Sequence, residues 1–126
     1  MAIVVRDGRM LVIRRSRTVV APLTYCFPGG AIEPGETEEA ALVREFREEV
    51  GVTIRPTRRI WECTTPWKVH LAWWLADMDA DQVPTPNPRE VESIHWMDPE
   101  EMARLSDLLE SNRRFLQLIA AGEIDL

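Results

Sequence analysis

Cysteine and histidine are scarce in this chain. Cys26 and Cys63 stand far apart, outside any Cys-x-x-Cys pair, and only two histidines accompany them. That composition argues against a zinc site and against a disulfide framework, leaving buried free thiols as the default. No apolar run approaches the roughly 18 residues of a membrane span, so no membrane association is expected. Residues 1–5 reach Arg6 and Asp7 too soon to form the apolar segment of a secretory signal, and a cytoplasmic protein is the expectation. Basic excess is missing too: the net charge of −6 argues against a stable nucleic-acid complex. No internal repeat or low-complexity tract occurs. What remains is 126 residues, 45% of them hydrophobic, a length and composition that suit one domain with one core.

The acidity is concentrated between Gly30 and Val52. Seven glutamates (Glu33, Glu36, Glu38, Glu39, Glu45, Glu48, Glu49) face two arginines there, a local net charge of −5. Pro28-Gly29-Gly30 and Pro34-Gly35 mark tight turns or close backbone approach. Thr37 is a candidate N-cap, and Ala40, Val43, Phe46 and Val50 recur at helical spacing. Gly51 is placed to end the helix. Glu45, Glu48 and Glu49 fall at i, i+3 and i+4, neighbours whose like charges repel. Arg44 and Arg47 offset only part of that charge. The cluster therefore calls for a hard divalent cation, Mg²⁺ or Mn²⁺.

The rest of the chain reads as strands with a helical end. Asp7-Gly8 between Ile3–Val5 and Met10–Ile13 predicts a hairpin. Arg14, Arg15 and Arg17 follow it, as phosphate contacts or as solvated charge. Tyr25–Phe27 is a short strand into the glycine loop, and 54–63 and 67–76 are longer ones. The second of these is apolar on both faces, which predicts a central position. Pro84, Pro86 and Pro88 alternate in a stiff extended loop. Asp77, Asp79 and Asp81 superficially resemble a calcium loop, but Gln82 and Pro88 stand where glycine and a bidentate glutamate are needed. Residues 91–97 form a further strand, Asp98-Pro99-Glu100-Glu101 starts a helix, and 106–121 read as a last helix ended by Gly122. The sum is an α/β domain.

The spacing of Gly30, Glu36, Arg44-Glu45-Phe46, Glu48-Glu49 and Gly51-Val52 resembles the Nudix box at every defining position. Pro28-Gly29 before it, and the Trp96 strand with its acidic helix start after it, are similar to the same family. The resemblance implies a Nudix-type α/β/α sandwich with a central mixed β-sheet, residues 1–126 forming one Nudix hydrolase domain. It also implies metal-dependent hydrolysis of a diphosphate linkage in a nucleoside diphosphate joined to another group. By position, Glu48 and Glu49 are implied as metal ligands, with Glu45 as ligand or water activator. The Gly29 or Gly30 carbonyl would complete the shell. Arg44 would orient the carboxylates, and Glu36 would support the loop through an ion pair. The box does not fix the general base. Glu90 and Glu92 lie where some members recruit one, and Glu90, nearer the proline loop, is preferred over Glu92, although a strand-edge acid is an equal reading.

Substrate is less legible. Trp61, Trp67 and Tyr25 are candidates to stack on a base or to pack in the core. Pro66, fifteen residues after Gly51, resembles the ADP-ribose-hydrolysing branch, whereas the short chain resembles small nucleoside triphosphate pyrophosphohydrolases, including those acting on oxidised nucleotides. A small-molecule nucleotide is the expected partner in each case. The alternative is a Nudix-fold nucleotide-binding module without turnover. An exposed Trp-bearing strand also offers a surface for a homodimer.

Overall fold

The computed structural model describes residues 1–66 and 68–126. Strands β1 (Ala2–Arg6) and β2 (Arg9–Arg15) form the expected hairpin. Asp7 and Gly8 both have positive φ, 53° and 75°, as a two-residue turn that follows the strand twist requires. Strands β3 (Tyr25–Cys26), β4 (Ile54–Thr64), β5 (His70–Met78) and β6 (Val91–Met97) complete a six-stranded sheet. Its order is β3-β2-β1-β5-β4, with β6 paired to β2. β1 and β5 run parallel, Ile3 opposite Leu75, and the other pairs are antiparallel. The sheet is therefore mixed.

Helix α1 (Glu38–Val50) covers one face; α2 (Pro99–Ala103) and α3 (Glu110–Ala120) cover the other. This is the expected α/β/α sandwich. β5 serves both cores, as its two-faced apolar pattern requires. Trp73 and Leu71 join Phe115 and Met102, while Trp74 and Ala76 join Leu42, Phe46 and Val50. Burying a side chain such as Phe46 stabilises by about 1.5–3 kcal/mol. No helix among the described residues is long and apolar enough to cross a membrane.

Helix α1 has both predicted ends. Thr37 Oγ1 accepts the Ala40 N–H at 3.1 Å, and Gly51, at φ 70°, donates its N–H to Arg47 O at 3.0 Å. Its buried side is rotated from the expected one: Ala41, Leu42, Phe46, Glu49 and Val50 are buried, and Ala40 is exposed.

Other boundaries also move. β5 begins at His70, because Lys68 at φ 63° and the Thr65–Val69 backbone bonds close a turn there. Trp67, its predicted first residue and a stacking candidate, lies outside the described residues. Residues 106–109 are not helical. Tyr25 N–H donates to Asp107 O at 2.8 Å and Leu109 N–H to Tyr25 O at 3.1 Å, so β3 captures this backbone and α3 starts only after it.

Candidate active site

The loop ahead of α1 is folded around one arginine. Arg44 Nε donates to Glu36 Oε2 at 2.7 Å and Nη2 to Glu36 Oε1 at 2.9 Å, a bidentate pair. Nη2 also donates to Ala31 O at 2.9 Å, and the Glu33 N–H reaches Glu36 Oε1 at 2.9 Å. Arg44 holds the Glu36 carboxyl well below the usual range, at about 2, with help from the Glu33 N–H. Its own pKa is raised by Glu36 and Glu45. Such planar two-point pairing is specific to arginine.

From the same guanidinium, Nη1 donates to Glu45 Oε1 at 2.8 Å and to Glu48 Oε2 at 3.3 Å. Arg47 turns away to Thr53 Oγ1 at 3.1 Å and gives the cluster no bond. The three box carboxylates, expected on one face, are graded in depth. The Glu48 side chain is 47% exposed, that of Glu45 15%, and Glu49 is buried. Rotation of α1 accounts for this, since it turns Glu49 toward the sheet.

Gly30 makes room for Glu45, and Gly29 for Met1, whose Cα would lie 2.9 Å from a Cβ at residue 29. Gly29 N–H donates to Glu49 Oε1 at 2.8 Å. A Cβ at Gly30 would strike the Glu45 carboxylate, with both oxygens 2.6 Å away, so a side chain at residue 30 would push that carboxylate out of its present place. Burial pushes the Glu49 carboxyl up to about 8 against the pull of the Gly29 N–H, with Glu45 and Glu90 adding to the rise. Glu45 is also raised, by burial first, against Arg44.

Glu90 lies just before β6, close enough to act on both acids. It is not an exposed edge acid: its Oε2 is buried and has no hydrogen-bond partner. Glu92 is exposed. Of the arginines Arg14 and Arg15 that end β2 and Arg17 that follows it, Arg15 shares this side. It bears electrostatically on Glu49, and its Nε donates to Val20 O at 2.7 Å. Arg14 instead serves the opposite face, against Leu23 O, Asp107 and the Tyr25 ring. Cys26 is buried, its thiol pushed up to about 11, and so is inert.

The two aromatic candidates among the described residues, Trp61 and Tyr25, are occupied. Trp61 packs on Trp73 and stacks on Phe115, with Arg114 over its ring; Tyr25 packs on His95 and Arg14. Packing within the protein explains both without a base.

The donor set suits a hard divalent cation: oxygen ligands, an orphaned buried carboxylate oxygen on Glu90, and a glycine cradle around Glu45. As the side chains stand, no three acidic, imidazole or thiol groups among the described residues converge closely enough to hold one. Arg44 bonds one oxygen each of Glu45 and Glu48, and the Gly29 N–H bonds one of Glu49.

Comparison with known proteins identifies the family and the fold. The family model described as the NUDIX domain matches residues 1–119. An NAD-capped RNA hydrolase (NudC) of Deinococcus radiodurans is 33% identical over 114 residues, 87% of this chain but 39% of that protein. This chain thus spans well under half the length of that relative. A CTP pyrophosphohydrolase of Escherichia coli is 32% identical over 104 residues, covering 79% of this chain and 74% of the enzyme. The crystal structure of a MutT protein from Methanosarcina mazei Go1 superimposes with a TM-score of 0.81 at 20% identity, over 96% of this chain and 90% of that one, a likeness of fold. With the family model running from residue 1 to residue 119 and the pyrophosphohydrolase matched over most of both lengths, the chain belongs to the Nudix family.

Proposed function

We propose that residues 1–126 form one Nudix hydrolase domain, a metal-dependent pyrophosphohydrolase that cleaves a phosphoanhydride linkage in a nucleoside diphosphate-X substrate. The observation that carries this is the set of acids Glu45, Glu49 and Glu90, brought together under burial with one carboxylate oxygen left unpartnered. Such an arrangement is costly for a fold and useful for binding a cation. A nucleoside triphosphate is the favoured substrate, because the CTP pyrophosphohydrolase is matched over 74% of its own length.

In this reading Glu45, Glu48 and Glu49 hold Mg²⁺ or Mn²⁺, with the Gly30 backbone beside them. A bound divalent ion supplies charge neutralisation on phosphate oxygens and lowers the pKa of water. Gly29 N–H orients Glu49, and Arg44, clamped by Glu36, orients Glu45 and Glu48. Glu90 accepts the proton from the attacking water through its free oxygen. Arg15 offers positive charge to the substrate phosphates. Water adds to one phosphorus and the bridging oxygen leaves with the other, giving a nucleoside monophosphate and pyrophosphate from a triphosphate.

The test is a panel of nucleoside triphosphates, oxidised nucleotides, nucleotide sugars and ADP-ribose in ¹⁸O-labelled water with Mg²⁺ or Mn²⁺. Mass spectrometry should find one labelled oxygen in the product phosphate. Tight binding of panel members without label incorporation would instead make the domain a binding module.

A further inference from the structure

Between β5 and β6 the chain alternates Pro84, Thr85, Pro86, Asn87 and Pro88. Alternate residues of an extended chain face the same way. The two residues that retain an N–H both donate it to the end of α1: Thr85 to Val50 O at 2.8 Å and Asn87 to Glu49 O at 2.9 Å. Prolines, which have no N–H to satisfy, occupy the positions between. The carbonyls so capped belong to the last turn, where a helix has no donors of its own.

Asn87 does more than cap. Its Nδ2 donates to Glu48 O at 3.1 Å, and its Oδ1 accepts the Arg89 N–H at 3.2 Å. Its backbone carbonyl accepts the N–H groups of Glu90 at 3.0 Å and Val91 at 2.8 Å. One residue therefore touches the backbone of Glu48, Glu49 and Glu90. Pro88 keeps it extended, since a residue before proline is disfavoured in the helical region.

We infer that Asn87 is a positioning residue of the acid cluster, fixing the Glu90 carboxylate relative to Glu48 and Glu49 across a junction that neither α1 nor β6 spans. The inference rests on the proposed role of those acids. Glu90 Oε2 has no partner of its own, so that oxygen is placed by the backbone that carries it.

The test uses the full chain. Asn87→Ala removes both side-chain bonds and keeps the backbone ones. Mn²⁺ affinity, read by electron paramagnetic resonance, and kcat should each fall roughly tenfold, with KM nearly unchanged. The loss in kcat should shrink when Glu90→Gln is already present, because the positioned base is gone. If Asn87→Ala fails to fold, Asn87→Asp, which keeps the acceptor for Arg89 and loses the donor to Glu48, is read in the same way. Wild-type Mn²⁺ affinity and kcat with only a lowered melting temperature would overturn the inference, as would independent effects of Asn87→Ala and Glu90→Gln on kcat. A wild-type protein that binds Mn²⁺ without hydrolysing anything would sink the proposed function alone, and weakened Mn²⁺ binding in Asn87→Ala would still support Asn87 as the positioning residue.

Discussion

Helices α1 and α3 lie on opposite faces of one sheet, and each buries a polar side chain against it, Glu49 in the first and Asn112 in the second. Asn112 is neutral and matched. Its Oδ1 accepts the Phe27 N–H at 2.9 Å and its Nδ2 donates to Ser111 Oγ at 3.2 Å. Glu49 is a potential charge with a single donor at 2.8 Å and two further acids beside it. Yet α1 is the better-built helix, capped by Thr37 and Gly51, whereas α3 starts at Glu110 with Leu109 before it and no side-chain cap. A buried amide that satisfies a backbone N–H completes the fold. An acid pushed up by burial, and further by its acidic neighbours, in a helix otherwise made stable is a cost that the fold alone does not explain.

The largest effect on that contrast is expected from Arg44→Lys. The variant keeps a charge near Glu45 and Glu48 but loses the planar fork that Glu36 grips. Turnover should fall roughly 10–100-fold with circular dichroism unchanged. Wild-type kinetics from the folded variant would end the orienting role and make Glu36 and Arg44 a loop clamp only.

A smaller change comes from pH. The folded Glu49 carboxyl sits at about 8, above its ordinary 4.5, so without a cation the folded state holds the proton more tightly than the unfolded chain. Its contribution to stability is then complete below about 4.5 and lost as pH rises through about 8. A cation needs the deprotonated form. Mn²⁺ affinity should therefore climb with pH, by up to about tenfold per unit below that value, and level off above it. A pH-independent affinity would mean that Glu49 is not a ligand.

The contrast also separates what could be read in the sequence from what could not. The α1 signals are local: Thr37, the apolar period, Gly51 and the Glu36–Arg44 spacing lie within one contiguous stretch. Its buried side differs from the periodic pattern at Ala40, since periodicity sets a stripe and the sheet sets where the stripe is centred. The start of α3 differs from the pattern because residues 107–109 give up helical bonds for Tyr25, a partner far away in the chain. Glu90 could be named as a candidate, but its orphaned oxygen depends on the packing around it. The role of Asn87 is hidden in the sequence for a similar reason. Its signal was the proline alternation, which reads as stiffness until α1 is placed beside it.

Asn112→Leu is the sharpest control, with the smallest expected effect on function. Leucine keeps the branching of asparagine but is bulkier, so in this fully buried position some overpacking is added while the Phe27 N–H loses its acceptor. An unsatisfied buried donor costs about 1–3 kcal/mol, which urea denaturation would resolve. If α3 uses its amide only for the fold, Mn²⁺ affinity should stay at the wild-type value despite that loss. Phe27, however, lies two residues before Gly29, whose N–H holds Glu49. A fall in Mn²⁺ affinity as large as that of Arg44→Lys would show that the strain passes through Pro28 into the glycine loop, and that the two faces of the sheet serve one site.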